Sequence, residues 1–181
     1  MMQPTTKAEL KHLVDNWEEL DIVLNDVDTS LITNMSSLFR DMINFNQPIG
    51  NWDTRNVTDM SYMFSVAKWW EERSSFNQPL NWNTENVNTM CSMFYKATSF
   101  NQPLNWDTTN VRSMSCMFYQ ATSFNQNVFD KKRNKWAFLE TQYLGKCKRL
   151  PTDLIRLISQ LAFYSWNMEK VTSLQNMFTK C

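Results

Sequence analysis

Side chains that could do chemistry are few and scattered along this chain. His12 is its one histidine in 181 residues. It stands beside Leu13 on a stretch of helical spacing, where a structural or solvent-facing role is expected. Without a second histidine or clustered cysteines, no zinc ligand set can be assembled. The two glycines, Gly50 and Gly145, are isolated, so no phosphate-cradling glycine loop is possible. Asp53, Asn83, Asp107 and Asn167 recur one residue after a Trp and offer oxygens that calcium could use. Alternating Asp and Asn beside turns more often bond their own backbone, and that is the reading preferred here. Cys91, Cys116, Cys147 and Cys181 include no C-x-x-C pair and suggest no disulfide framework; a reduced compartment is expected. Nothing converges as an acid–base pair or an activated nucleophile. The expectation is a protein that is not an enzyme and that uses no metal and no cofactor.

What remains are side chains that could bind. Formal net charge is zero, so no global field draws the chain to nucleic acid or anionic membrane. Residues 129–164 are the basic exception, with eight Lys/Arg against three Asp/Glu. Within them Lys131, Lys132 and Arg133, with Lys135 and Trp136 nearby, could meet phosphates and stack a base; the simpler reading is a solvated loop. A second cluster, Lys68-Trp69-Trp70-Glu71-Glu72-Arg73, sets Trp69 and Trp70 in an insertion. The third set is a row of polar residues around repeated tryptophans: Asn81, Asn105, Asp53, Asn83 and Asp107.

The elements that position these residues come from a repeat. Residues 76–126 are nearly one sentence written twice, with Trp82 to Trp106 and Phe100 to Phe124 both 24 residues apart. Such fidelity fixes architecture before any single residue is read. A degenerate first repeat begins near Val27 and shows Ile32, Met35, Leu38-Phe39 and Phe45-Asn46-Gln47-Pro48-Ile49. The second runs from Trp52 and carries the six-residue insertion. From Phe39 to Phe64 is 25 residues, and the extra residue falls near Gly50, as a bulge or looser turn. The third and fourth repeats are regular. The pattern breaks at Val128 and returns at Trp166.

Each repeat divides into two pieces. Met60, Met63-Phe64 and Ala67 have helical spacing, and a cap-forming residue (Asn34, Asp59, Thr89, Ser113 or Ser173) stands before the first core residue of each repeat. A helix of two turns is predicted there, held by packing because one so short does not persist alone. Leu80-x-Trp82 and Leu104-x-Trp106 alternate with period two, predicting a short inward-facing strand paired to its neighbours at ~4.8 Å. Stacked this way, Phe45, Phe76, Phe100 and Phe124 form one column, and Met63, Met93, Met117 and Met177 another. Asn46, Asn77, Asn101 and Asn125 form an amide ladder.

The expected organisation is an N-terminal capping helix in 1–25, four repeats over 26–128 with a loop near 68–73, a basic helical insertion at 129–164, and a partial fifth repeat at 165–181. The cap is predicted over 6–20. Thr6 and Glu9 form a capping box, and Leu10, Leu13, Val14, Trp17 and Leu20 share a face. In the insertion Trp136, Leu139 and Tyr143 are helically spaced, and Pro151 opens a second helical pattern through Leu154, Ile155 and Ile158. The opening MMQPTTKAEL has no basic region followed by an apolar run, and no stretch approaches the ~20 apolar residues of a membrane helix. The chain as written therefore reads as cytoplasmic, without a membrane span.

The run WDT-x-NVT-x-M-S-x-MF-x-x-A-x-SFNQPL resembles the leucine-rich-like repeats of BspA-type surface proteins, in particular the branch with a mycoplasma-lipoprotein-type repeat of unknown function. The likeness spans 26–128 and resumes at 165–181; KAEL…LVDNW resembles that family's lead-in. It implies a right-handed, leucine-rich-repeat-like solenoid, protein–protein or host-surface interaction, and no enzymatic activity. No lipoprotein cysteine is present to match the surface location, and nothing of the family transfers to 129–164.

Together these readings predict an α/β repeat solenoid, with one short strand and one short helix per coil. It would act as a monomeric, non-catalytic scaffold that binds a protein partner through the outward positions or the insertions. The alternatives are an F-box-like adaptor, faintly suggested by Leu150-Pro151-Thr152-Asp153-Leu154-Ile155, or a nucleic-acid binder acting through 129–164.

Overall fold

Repeats are joined through the segments that begin just before each first core Met. The computed structural model describes residues 2–67 and 73–126. Within it the segments 34–42, 59–67, 89–97 and 113–121 lie side by side as four rungs. Alternate backbone N–H groups of one rung donate to the next. Met35 bonds to Asp59 O (2.9 Å), Ser37 to Ser61 O (2.8 Å), Phe39 to Met63 O (2.9 Å) and Asp41 to Ser65 O (2.9 Å). The same four positions link the second rung to the third, from Met60 → Thr89 O (3.1 Å) to Val66 → Tyr95 O (2.9 Å). They link the third to the fourth, from Met90 → Ser113 O (2.9 Å) to Lys96 → Tyr119 O (2.7 Å). Parallel bridges run Asn34–Asp59–Thr89–Ser113.

This pattern replaces the helix expected after each cap residue. Among the described residues the one α-helix is α1, Lys7–Asp15, followed by a short 3-10 turn at Leu24–Asp26. In the rungs, successive turns stand where helix was predicted: Met93 N–H bonds to Met90 O (3.2 Å) and Ala97 N–H to Phe94 O (3.1 Å). Their third residues are left-handed, at Ser92 (φ 53°), Lys96 (57°), Cys116 (57°) and Gln120 (56°), the pattern of type II turns. Two linked turns bring Met, Met-Phe and Ala to one face with the 3–4 spacing of a helix. Their remaining N–H groups point sideways, where the neighbouring rung accepts them. A helix would satisfy those groups internally and remove the four backbone links each rung makes to the next, leaving bonds such as Asn88 N–H to Thr58 O (2.8 Å) just before the rungs.

The expected strand at Leu80-x-Trp82 is likewise absent: among the described residues no strand forms there. Leu80 and Trp82 do point inward, 2% and 5% exposed. The tie to the preceding repeat comes from the indole instead. Trp52 donates to Leu24 O (2.7 Å), Trp82 to Ile49 O (3.0 Å) and Trp106 to Leu80 O (3.2 Å). A buried indole N–H needs an acceptor, and the repeat supplies one at every step.

The core is a set of columns. Phe45, Phe76, Phe100 and Phe124 stack with centroids 5.9, 6.0 and 5.9 Å apart. Phe39, Phe64, Phe94 and Phe118 stack beside them at 5.2, 5.5 and 5.5 Å. Met63, Met93 and Met117 are fully buried. Leu10 and Val14 of α1 belong to the same buried cluster. The helix is shorter than the predicted 6–20, since Asn16 caps its end through the His12 carbonyl; Leu20 is consequently 44% exposed. At its start Thr6 accepts from Glu9 N–H (3.2 Å), and the Glu9 carboxylate reaches Thr5 N–H (2.7 Å). These bonds lower the Glu9 pKa, Thr5 N–H contributing most.

Polar columns bind repeat to repeat at the turns. Asn77 N–H donates to Asn46 Oδ1 (2.9 Å), Asn101 N–H to Asn77 Oδ1 (2.8 Å) and Asn125 N–H to Asn101 Oδ1 (2.8 Å). The buried hydroxyls of Thr29, Thr54 and Thr84 donate to Asp53 O, Asn83 O and Asp107 O at 3.0, 2.8 and 2.8 Å. Gly50 serves close approach: a Cβ there would sit 2.9 Å from Pro79 O of the next repeat. The predicted helices of 129–164 and the partial repeat at 165–181 lie outside the described residues, as do residues 68–72 of the expected loop.

Candidate interaction surface

The tryptophans decide which residues face out. With each indole turned in to the preceding repeat's carbonyl, the residues on either side of it face solvent. Asn81 and Asn105 are exposed, and neither side chain makes a hydrogen bond among the described residues. Asn51, also exposed, occupies the same position one repeat earlier. Asn83 and Asp107 are exposed and Asp53 is half-buried. Their side chains are fixed by the backbone: Asp53 Oδ1 accepts from Arg55 N–H (3.2 Å), Asn83 Oδ1 from Glu85 N–H (3.0 Å) and Asp107 Oδ1 from Thr109 N–H (2.8 Å). Asp28 repeats this turn with Ser30 N–H at 3.0 Å. These oxygens organise turns. Among the described residues no group of three or more His, Cys, Asp or Glu is placed to hold a metal ion.

Charge at Asp53 is locally compensated. Arg55 reaches Asp53 through Nη2 at 2.8 Å and Nε at 3.0 Å. That contact holds the Asp53 carboxyl below its ordinary pKa and raises that of Arg55. Asp28 is also lowered, chiefly by Ser30 N–H. The next positions are ladder groups: Asn56 Nδ2 donates to Ser30 O (2.7 Å), Asn86 to Arg55 O (2.7 Å) and Asn110 to Glu85 O (2.6 Å). The row therefore has a rigid floor and a thin free layer, made by Asn51, Asn81 and Asn105.

A second surface escaped sequence reasoning. It lies on the rungs, one residue after the column Phe, at Arg40, Tyr95 and Tyr119, and at Tyr62 nearby; Ser65, at the same position of the second rung, is buried. The Tyr95 and Tyr119 rings stack at 4.8 Å, 3° from parallel. Lys96 Nζ lies 5.7 Å from the Tyr95 ring, and the Arg40 guanidinium 5.7 Å from that of Tyr62. Tyr62 is 41% exposed. Partial burial raises the Tyr95 pKa, with lesser contributions from Tyr119 and Cys116. The available signal was that the two residues after the column Phe vary between repeats (Arg40-Asp41, Ser65-Val66, Tyr95-Lys96, Tyr119-Gln120) while the Leu/Met-Phe pair before them recurs. Reading the segment as a helix hid it.

His12 is exposed on α1, its ring 3.0 Å from Asn16 Nδ2. Trp69, Trp70, Lys131, Lys132 and Arg133 lie outside the described residues. No helix among the described residues is long and apolar enough to cross a membrane.

Residues 65–150 match the model of a family described as Mycoplasma protein of unknown function, DUF285. The match begins in the second rung and takes in the third and fourth repeats. No curated protein and no solved structure matches the chain.

Proposed function

We propose that this chain is a non-catalytic protein-interaction scaffold, a leucine-rich-repeat-like solenoid of the BspA type, that binds a protein partner through its outward repeated face. One observation carries the reading. Exposed side chains recur in register, Asn51, Asn81 and Asn105, above turns locked by Asp53, Asn83 and Asp107. Repeat proteins present extended faces of this kind, where affinity is the sum of modest contacts on a preorganised support. The similarity of residues 65–150 to a mycoplasma family agrees with the repeat class; that family's function is unknown, so no activity comes with it.

The test is quantitative binding by the full chain to partners captured from its native source. Asn81→Arg with Asn105→Arg is expected to weaken binding at least tenfold, with melting temperature unchanged. Neutralising Lys131, Lys132 and Arg133 is expected to leave binding intact. The opposite outcome would move the function to 129–164. Steep salt dependence would then identify a nucleic-acid binder, and co-purification of a ubiquitin-ligase scaffold an F-box-like adaptor.

A further inference from the structure

Cys91 and Cys116 come from repeats whose sequence spacing puts them one residue out of phase. The rungs turn that offset into a near neighbour. Ser92 N–H donates to Ser115 O at 2.8 Å, so the 91–92 and 115–116 peptides lie across from one another on adjacent rungs. A one-residue offset between rungs ~4.8 Å apart places the two Cα atoms ~6 Å apart, within the span of a disulfide. The Cys91 sulfur lies 3.9 Å from Ser92 Oγ. Ser92 is the residue of the third rung that corresponds to Cys116 in the fourth, so this thiol already leans toward the right column. Both cysteines are free thiols and half-exposed.

We propose that Cys91 and Cys116 are an oxidation site that closes into an intramolecular disulfide, clipping the third repeat to the fourth. The oxidant is a peroxide. One thiol is oxidised by hydrogen peroxide to the sulfenic acid as the O–O bond breaks and the first water leaves. The second sulfur attacks it, forming the S–S bond and expelling the second water. Two thiols thus lose two electrons and two protons, and one peroxide becomes two waters. Cys116 is held above its ordinary pKa by burial and, secondly, by Cys91; that second cause is a further mark of their proximity. The bond closes a loop already closed by the ladder, so it adds a clip without requiring a new fold.

The experiment uses the full chain, as wild type and as Cys147→Ser/Cys181→Ser, treated with one equivalent of hydrogen peroxide. Two thiols should disappear and return with reductant, while the chain stays monomeric on a non-reducing gel. Tryptic peptides 74–96 and 113–131 should be recovered as one species, two hydrogens lighter than their sum. Cys91→Ser should abolish it. Persistence of both thiols, sulfinic acid at either residue, or disulfide only between chains or to Cys147 or Cys181 would overturn the proposal. Mapping the wild-type chain keeps the test valid if a variant folds poorly.

Discussion

Phe100→Ala tests the column architecture most directly. Phe100 is fully buried and sits inside its column, 6.0 Å from Phe76 and 5.9 Å from Phe124, with Phe94 packed at 4.1 Å. Truncating a buried Phe to Ala costs about 3–5 kcal/mol. Each ring pair can contribute about 0.5–1.5 kcal/mol beyond buried area, and three pairs are lost here, so the upper part of that range is expected. Phe100→Leu keeps most of the volume but none of the ring contacts, and should cost about 1–3 kcal/mol. Asn105→Ala, on the exposed row, should stay within ~0.5 kcal/mol. Urea unfolding followed by tryptophan fluorescence and by circular dichroism would give the three values. A midpoint unchanged by Phe100→Ala, or Asn105→Ala costing as much, would refute the assignment of core and surface.

Gly50→Ala should destabilise by about 1–3 kcal/mol, the range for forcing an atom into packed space, because its Cβ would meet Pro79 O at 2.9 Å; thermal melting measures it. Thr84→Val keeps the buried shape but removes the 2.8 Å bond to Asp107 O, and should cost about 1–3 kcal/mol in the same assay. Lys96 is left-handed at φ 57°, so Lys96→Val should cost about 1–2 kcal/mol while Lys96→Gly should not; equal effects would remove the turn assignment. Asp53→Asn should lower stability at neutral pH by less than about 1 kcal/mol, since Arg55 is 68% exposed and solvent screens the pair. Because the native Asp53 pKa is depressed, this contribution is fully present above the ordinary carboxylate pKa and fades as pH falls through the native one. The gap between wild type and variant in pH-dependent melting should close on acidification.

Period and residue type were enough to align the Phe and Met columns, to assign the Asn46–Asn77–Asn101 ladder, and to turn Asn81 and Asn105 outward. A column needs only that equal positions recur, and an apolar or amide column has few physical uses other than packing or ladder bonding. The direction of backbone hydrogen bonding was not legible. Met, Met-Phe and Ala at 3–4 spacing satisfy both a helix and a pair of left-handed turns, and the choice lies with the neighbouring rung, which accepts the N–H groups a helix would use internally. The tryptophans misled in the same way, reading as strand by alternation while bonding through indole N–H to the repeat before. Only the resulting register brought Tyr95 onto Tyr119, set Lys96 beside them and put Cys91 next to Cys116. Sequence determined which residues recur; tertiary structure decided which recurrences touch, because that depends on where each unpaired N–H finds its acceptor.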